Sequence, residues 1–87
     1  MPHLILYTKP GCHLCEEVEA QLLMLADEFR FEWERRDITR DPALYDRYKH
    51  AVPVVWLDGR ERLRADSAPI DRAALRALLA HTRHDRI

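Results

Sequence analysis

Two cysteines, Cys12 and Cys15, are the residues of this chain best suited to covalent chemistry. They are the only cysteines among its 87 residues, and two residues separate them. Only the thiolate form of a cysteine is a nucleophile, so a cysteine becomes reactive where its surroundings stabilise that anion near neutral pH. Three positions are nearly one helical turn, which brings the second sulfur within reach of the first. The spacing is typical of reversible dithiol–disulfide exchange.

The pair falls where a strand is predicted to end and a helix to begin. The continuous apolar run Leu4–Tyr7 is typical of a short buried strand. A helix is predicted from about His13 to Phe29, because apolar residues recur there at spacings of three and four. Its predicted apolar stripe is Leu14, Val18, Leu22, Leu25 and Phe29.

This placement predicts different roles for the two sulfurs. A sulfur at a helix N-cap can accept hydrogen bonds from free backbone N–H groups, here those of Leu14 and Cys15, and the helix dipole acts in the same direction. Lys9 adds a positive charge nearby. We therefore expect Cys12 to have a pKa below that of a free cysteine and to attack, and Cys15, which is more buried, to resolve the mixed disulfide.

Other uses of the C-x-x-C pair remain open. A structural zinc site normally needs four ligands, and no second C-x-x-C or H-x₃₋₅-H pair accompanies this one. Two chains could still pool their cysteines around zinc or an iron–sulfur cluster. A binding module that keeps the fold without the chemistry is a further alternative. Covalent haem attachment does not fit, because Glu16 and not a histidine follows Cys15.

Length and charge narrow the class of protein. A chain of 87 residues, 47% hydrophobic and 33% charged, predicts one globular domain over residues 1–87. The net charge of −1 argues against nucleic acid as a partner. No apolar run suits a signal peptide or a membrane span, so we expect a cytoplasmic protein without a membrane partner. Arg60, Arg62 and Arg64 alternate as on a solvated strand face.

The remaining pattern predicts an α/β fold in the order β-α-β-α-β-β-α, a four-stranded mixed sheet flanked by three helices. The second strand runs from about Phe31 to Ile38, and Asp41-Pro42 opens a short helix that carries Leu44, Tyr45 and Tyr48. The last two strands are Val52–Leu57 and Arg60–Arg64, joined by an Asp58-Gly59 turn, and the second lies at the sheet edge. Asp71 is the predicted N-cap of the last helix, and Trp33 and Trp56 are predicted core residues.

The chain resembles glutaredoxin-like proteins of the thioredoxin superfamily, in particular compact bacterial members with a G-C-x-L-C motif. The residues that carry the resemblance span most of the sequence. They are Tyr7-Thr8-Lys9-Pro10-Gly11-Cys12 followed by Cys15, then Val52-Pro53, then Asp58-Gly59.

The resemblance implies a thioredoxin-like fold. With the cysteine pair, it makes our leading hypothesis a thiol–disulfide oxidoreductase that acts on a protein or low-molecular-weight disulfide and needs no metal or organic cofactor. It implies that Pro53 is cis and that the backbone of Val52 beside it pairs with substrate. It implies that Lys9 contacts the carboxylate of glutathione. In this chain the family's Gly-Gly-x-Asp segment, which holds the other end of glutathione, is replaced by Leu63-Arg64-Ala65-Asp66-Ser67. Asp66 or Ser67 is the candidate to take its place, with Asp66 the expected binding residue. Glutathione and a thioredoxin-type reductant both stay open as partners.

Overall fold

The computed structural model describes residues 1–84 of the chain. It contains four strands and three α-helices in the predicted order, with one turn of 3₁₀-helix, Ile38–Arg40, after the second strand. The strands are β1 (His3–Thr8), β2 (Glu32–Asp37), β3 (Val54–Leu57) and β4 (Arg60–Arg64). The helices are α1 (His13–Leu25), α2 (Pro42–Tyr48) and α3 (Arg72–His84).

The four strands form one mixed sheet in the order β2-β1-β3-β4. The central strand β1 pairs parallel with β2 and antiparallel with β3, and β3 pairs antiparallel with β4. The parallel pair needs the α1 crossover, while β3 and β4 need only a two-residue turn. Asp58 and Gly59 fill that turn with φ of +51° and +83°, as a tight hairpin requires. This is the predicted thioredoxin-like architecture, with β4 at the edge.

Helix starts follow the predicted capping chemistry. The carboxylate of Asp41 accepts hydrogen bonds from the N–H groups of Ala43 and Leu44, with Pro42 at the first helical position. Asp71 accepts from the N–H of Ala74 in the same way. Each side chain satisfies donors that a helix N-terminus leaves unpaired.

Helix α1 ends at Leu25, four residues earlier than predicted. Its last turn tightens, because Asp27 and Glu28 donate to carbonyls three residues back, at Met24 and Leu25. Phe29 donates its N–H to the Leu25 carbonyl and still places its ring in the core. The spacing of buried apolar residues therefore continues past the end of the helix, which is why the sequence predicted a longer helix.

Leu14 is not part of the buried stripe of α1. Its side chain is 55% exposed, whereas Cys15 is only 1% exposed. The stripe that packs on the sheet is Cys15, Val18, Leu22 and Leu25. The spacing of three between Cys15 and Val18 places them on the same side of the helix, so the prediction for Leu14 was wrong by one position.

The sheet is covered on both faces. The face beneath α1 and α3 carries a large apolar cluster that includes Leu4, Leu6 and Val55. The opposite face, beneath α2, carries a smaller cluster of Tyr7, Ile38, Tyr48, Ala51 and Val54. Trp33 and Trp56 are each half-buried against one of these clusters, as core residues on strands. None of the helices described in residues 1–84 is long and apolar enough to cross a membrane.

A β-bulge interrupts the alternation of the arginines in β4. Trp56 pairs with Glu61 and Val55 pairs with Leu63, so Arg62 is the extra residue. Glu61 and Arg64 consequently point to the same face, towards α2, and Arg64 is only partly exposed. The expectation of a uniformly solvated arginine face was therefore wrong at Arg64.

Candidate active site

The two cysteines are joined by a disulfide at the N-terminus of α1, with their Cα atoms 5.2 Å apart. Cys12 is the N-cap residue, in an extended conformation with φ −87° and ψ 104°. Cys15 is almost fully buried, whereas Cys12 is partly exposed. One sulfur is thus reachable from outside, and its partner lies behind it in the protein.

The backbone of α1 contacts the exposed sulfur directly. The N–H of Cys15 donates a hydrogen bond to Cys12 Sγ at 3.1 Å. In the reduced protein this sulfur would be a thiol or thiolate, and the same N–H would then face the anion. Of the two donors predicted from the sequence, Cys15 makes this bond, and Leu14 does not among the residues described.

Pro53 follows a cis peptide bond with Val52, as the resemblance implied. The structure places the backbone of Val52 differently from expectation on one point. Its N–H donates to the Tyr48 carbonyl at 3.1 Å, at the end of α2. This N–H is therefore engaged within the protein, while the Pro53 carbonyl accepts from the N–H of Ala65 at 3.0 Å.

Lys9 is held by the protein at the C-terminal end of α2. Its Nζ donates to the backbone carbonyl of Lys49 at 2.9 Å. A cation beside the last carbonyls of a helix is favourably placed with respect to the helix dipole. The Lys9 ammonium, which was expected to lie near Cys12 or to bind a glutathione carboxylate, is therefore hydrogen-bonded to the backbone at the end of α2.

A groove of about 690 Å³ opens on one side of the disulfide, and we call it the polar groove. Both cysteines line it, together with residues from the carboxyl ends of the parallel strands β1 and β2 and from the start of α2. Its charged lining residues belong to both signs: Lys9, Glu16, Glu19, Arg35, Arg36, Asp37, Arg40 and Asp41. Arg35 and Glu19 pair across it at 3.2 Å.

Hydrogen bonding keeps one carboxylate of the polar groove ionised. Asp37 accepts from both the hydroxyl and the N–H of Thr39, at 2.6 Å and 2.9 Å. These bonds lower the pKa of Asp37, the hydroxyl contributing most. The carboxylate is therefore occupied in holding the turn after β2.

A second groove, of about 410 Å³, lies on the other side of α1, and we call it the apolar groove. Leu14 lies at the end nearer the disulfide, because it precedes Cys15 in the first turn of α1, and Pro53 also lines the groove. The other lining residues come from α1, from the loop after β4 and from the start of α3: Glu17, Val18, Gln21, Ala65, Pro69, Ile70, Asp71 and Arg72. The disulfide thus has a charged surface on one side and a largely apolar one on the other.

Asp66, the last of the predicted site residues, is ion-paired to Arg64. Its two carboxylate oxygens accept from Arg64 Nε at 2.8 Å and Nη2 at 3.1 Å. This contact lowers the pKa of Asp66 and raises the pKa of Arg64. The carboxylate that was expected to bind substrate is committed within the loop in this structure.

A hydrogen-bond network centred on Tyr48 lies beneath α2 and was not predicted. The Tyr48 hydroxyl donates to Glu61 Oε1 at 2.7 Å and accepts from Trp56 Nε1 at 3.0 Å. Burial and then the bond to Glu61 raise the pKa of this hydroxyl. The signal in the sequence was weak, because Arg64 joins Glu61 on the face of Tyr48 only through the bulge at Arg62.

The structure thus brings together Cys12, Cys15 and Lys9 along one groove, and it places Pro53 on the other side of α1. Val52 contacts α2, and Asp66 is paired in the loop after β4. Within residues 1–81, whose side chains the structure describes, no three His, Cys, Asp or Glu side chains are grouped as a metal site would require.

The chain matches a known family and known relatives over most of its length. The family model described as "Glutaredoxin-like domain (DUF836)" matches residues 3–80. Uncharacterized proteins of Mycobacterium tuberculosis and Mycobacterium bovis are 37% identical to this chain, covering 77% of it and 84% of each relative.

Solved structures show the same architecture. The NMR structure of protein Ne2328 from Nitrosomonas europaea superimposes with a TM-score of 0.73 at 31% identity, covering 90% of this chain and 91% of that one. The X-ray structure of target protein XcR50 from X. campestris gives 0.69 at 35% identity, covering 90% and 96%. An N21Q mutant thioredoxin from Halobacterium salinarum gives 0.67 at 23% identity, covering 90% and 71%, and so shares the fold.

Proposed function

Because the chain belongs to the glutaredoxin-like domain family, we propose that it is a thiol–disulfide oxidoreductase in which Cys12 attacks and Cys15 resolves. One observation carries this assignment. The Cys12 sulfur caps α1 and accepts the Cys15 N–H at 3.1 Å, with the second sulfur buried directly behind it. A single site thus offers an anion-stabilising position and an internal partner for the attacking sulfur.

The proposed reaction starts from the dithiol. The Cys12 thiolate attacks one sulfur of a substrate disulfide, and the other substrate sulfur leaves as a thiolate that takes up a proton. Cys15 then loses its proton and attacks Cys12 Sγ, which releases the second substrate thiol and forms the Cys12–Cys15 disulfide. Two electrons and two protons pass to the substrate, and a thiol or dithiol reductant restores the protein.

The different exposure of the two sulfurs favours this order of events. A substrate disulfide must approach the attacking sulfur in line, and only Cys12 is open enough for that. Cys15, at 1% exposure, reaches its neighbour and little else. Attack by Cys15 is therefore an intramolecular step, which proceeds at a high effective concentration.

The surroundings suggest how a substrate is held. The Val52 carbonyl beside Pro53 is the backbone group we propose for pairing with an extended substrate, since its N–H is already bonded to Tyr48. Lys9 lines the polar groove with the cysteines and could meet a substrate carboxylate there. Asp66 takes part only if Arg64 releases it. Glutathione and a thioredoxin-type protein are both reductants that this chemistry allows.

Single cysteine variants test the proposal. Cys15→Ser, incubated with a disulfide substrate, should accumulate a stable mixed disulfide through Cys12, seen as a mass increase equal to one substrate thiol. Cys12→Ser is the matched control and should not accumulate it, because the remaining thiol is buried. Preferential alkylation of Cys12 near neutral pH is expected in the reduced wild type. Trapping through Cys15, or equal alkylation of both cysteines, would contradict the assignment.

A further inference from the structure

The apolar groove beside the disulfide contains a cation without a carboxylate partner. Arg72 Nε donates to Gln21 Oε1 at 2.6 Å, and its Nη2 contacts Met24 Sδ at 3.3 Å. Both acceptors are uncharged. Among the side chains of residues 1–81, no carboxylate lies within ion-pair distance of this guanidinium. These contacts place the guanidinium over α1 and leave its positive charge uncompensated.

The two carboxylates of the same groove already have partners. Glu17 lies 3.0 Å from His13 Nε2, one helical turn away. Asp71 caps α3 and accepts the N–H of Ala74. Among the charged residues of the groove, Arg72 is therefore the one free to pair with a charge on a ligand.

The position of Arg72 is not explained by the stability of α3. It is the first residue of the helix, where the dipole favours negative side chains and disfavours a cation. Helix stability therefore does not account for the charge, whereas its place in the lining of the groove gives it a role in binding.

The groove also has a direction. Leu14, Val18 and Gln21 lie along one side of α1 at spacings of four and three. The apolar end, with Leu14, is next to Cys15 in the first turn of α1. The Arg72 end is further along the helix, where Arg72 contacts Gln21 and Met24. Seven helical residues span about 10 Å, which is about three residues of an extended peptide.

We propose that this groove binds a polypeptide segment of the substrate, with an apolar side chain next to the reacting cysteine and an acidic side chain about three residues further, paired with Arg72. The inference rests on the proposed function and specifies its substrate. Exposed Leu14 supplies the apolar contact, and Arg72 supplies selectivity for charge. An acidic residue complements the uncompensated cation, whereas a lysine at that position would be repelled.

Single-turnover reduction of dimeric peptide disulfides tests the proposal. Each peptide carries leucine beside its cysteine and Glu, Gln or Lys three residues further, in both chain directions. The pre-reduced protein passes two electrons to the peptide dimer, giving two peptide thiols and the Cys12–Cys15 disulfide, so no other reductant is needed. We expect the Glu peptide to react about two- to fivefold faster than the Lys peptide in one of the two directions.

Charge reversal supplies the decisive comparison. Arg72→Glu should invert the preference, so that the Lys peptide becomes the faster substrate. The variant is expected to fold, since a negative residue suits the first turn of α3. Arg60→Glu changes the same charge on the exposed hairpin and is the matched control, with the wild-type preference expected. Replacing the peptide leucine by serine should slow the reaction about tenfold.

Two outcomes separate the inference from the proposed function. If the wild type and Arg72→Glu reduce every peptide at the same rate, the docking inference is overturned while the oxidoreductase assignment stands. If the reduced protein reduces no disulfide, small or peptidic, then the proposed function itself fails. A preference that follows the charge of residue 72 supports both.

Discussion

The two faces of the sheet are stabilised by different kinds of interaction. Beneath α1 and α3 the buried residues of the cluster are all leucine, valine or phenylalanine, with Leu22 and Leu75 fully buried among them. Beneath α2 the residues at the centre are aromatic. The ring centroid of Tyr7 lies 5.5 Å from that of Tyr48 and 6.2 Å from that of Trp56. The Tyr48 hydroxyl adds bonds to Glu61 and Trp56.

Helix length explains the difference. Helices α1 and α3 have 13 residues each, enough for several buried aliphatic side chains, whereas α2 has seven. A helix of two turns covers little surface, so large rings and directed hydrogen bonds complete this face. One face is consequently held by contacts that do not titrate, and the other includes groups that do.

The largest expected loss of stability comes from the cluster beneath α1 and α3, which we call the aliphatic face. Leu22→Ala should lower the free energy of unfolding by about 2–5 kcal/mol, because a fully buried leucine leaves a cavity. Leu23→Ala, which removes the same atoms from a position 63% exposed on the same helix, should change it little. Urea denaturation measures both. Similar losses in the two variants would contradict the account of this face.

The second prediction concerns the aromatic face, the cluster of Tyr7, Tyr48 and Trp56 beneath α2. Tyr48→Phe should lower the free energy of unfolding by about 1–3 kcal/mol, because Trp56 Nε1 and the Glu61 carboxylate lose a partner in a partly buried site. Tyr45→Phe, on the exposed side of the same helix, is the control and should have little effect. A neutral result for Tyr48→Phe would mean that ring packing alone holds α2.

The same variant has a pH signature. Burial raises the pKa of the Tyr48 hydroxyl in the folded protein. The stabilisation from the neutral hydroxyl is therefore fully present below the unfolded tyrosine value, near pH 10, and is lost as pH rises through the folded value. Denaturation of the wild type should show this loss above pH 10, and Tyr48→Phe should show less of it.

Local chemistry made much of the fold predictable. The caps Asp41 and Asp71, the Asp58-Gly59 turn and the position of Cys12 at the start of α1 depend on neighbouring residues only, and all were found as predicted. The end of α1 was not predictable in this way. Apolar spacing continues through Phe29, but the backbone turns at Leu25 and the ring reaches the core from outside the helix.

The hydrogen-bond and ion-pair partners of the predicted site residues could not be predicted from the sequence. Lys9 is bonded to a carbonyl 40 residues away, and Val52 uses its N–H on the end of α2. Asp66 is occupied by Arg64, which the bulge at Arg62 turns inwards. Each of these depends on how α2 and β4 are positioned against β3, and no periodicity in the sequence encodes it.

The smallest expected effect is a change in the pKa of Asp66, and it tests whether the residues beneath α2 influence the loop that follows β4. Arg64 contacts Glu61 at 3.5 Å, its guanidinium lies 5.9 Å from the Tyr48 ring centre, and it holds Asp66. Arg64→Met should raise the pKa of Asp66 towards that of an exposed aspartate, measured by NMR titration of the carboxyl carbon. Arg62→Met removes a neighbouring exposed guanidinium and should leave that pKa unchanged.

The sign of the pH dependence follows from the lowered pKa of Asp66. The contribution of the ion pair is present above the unfolded aspartate value and is lost as pH falls through the folded one. The wild type and Arg64→Met should therefore differ in stability near neutral pH and converge in acid. If amide exchange at Ala65, whose N–H bonds to the Pro53 carbonyl, also quickens in Arg64→Met, the network on the α2 face extends to the substrate loop. Unchanged exchange would confine its influence to Asp66 and separate that face from the groove where substrate is proposed to bind.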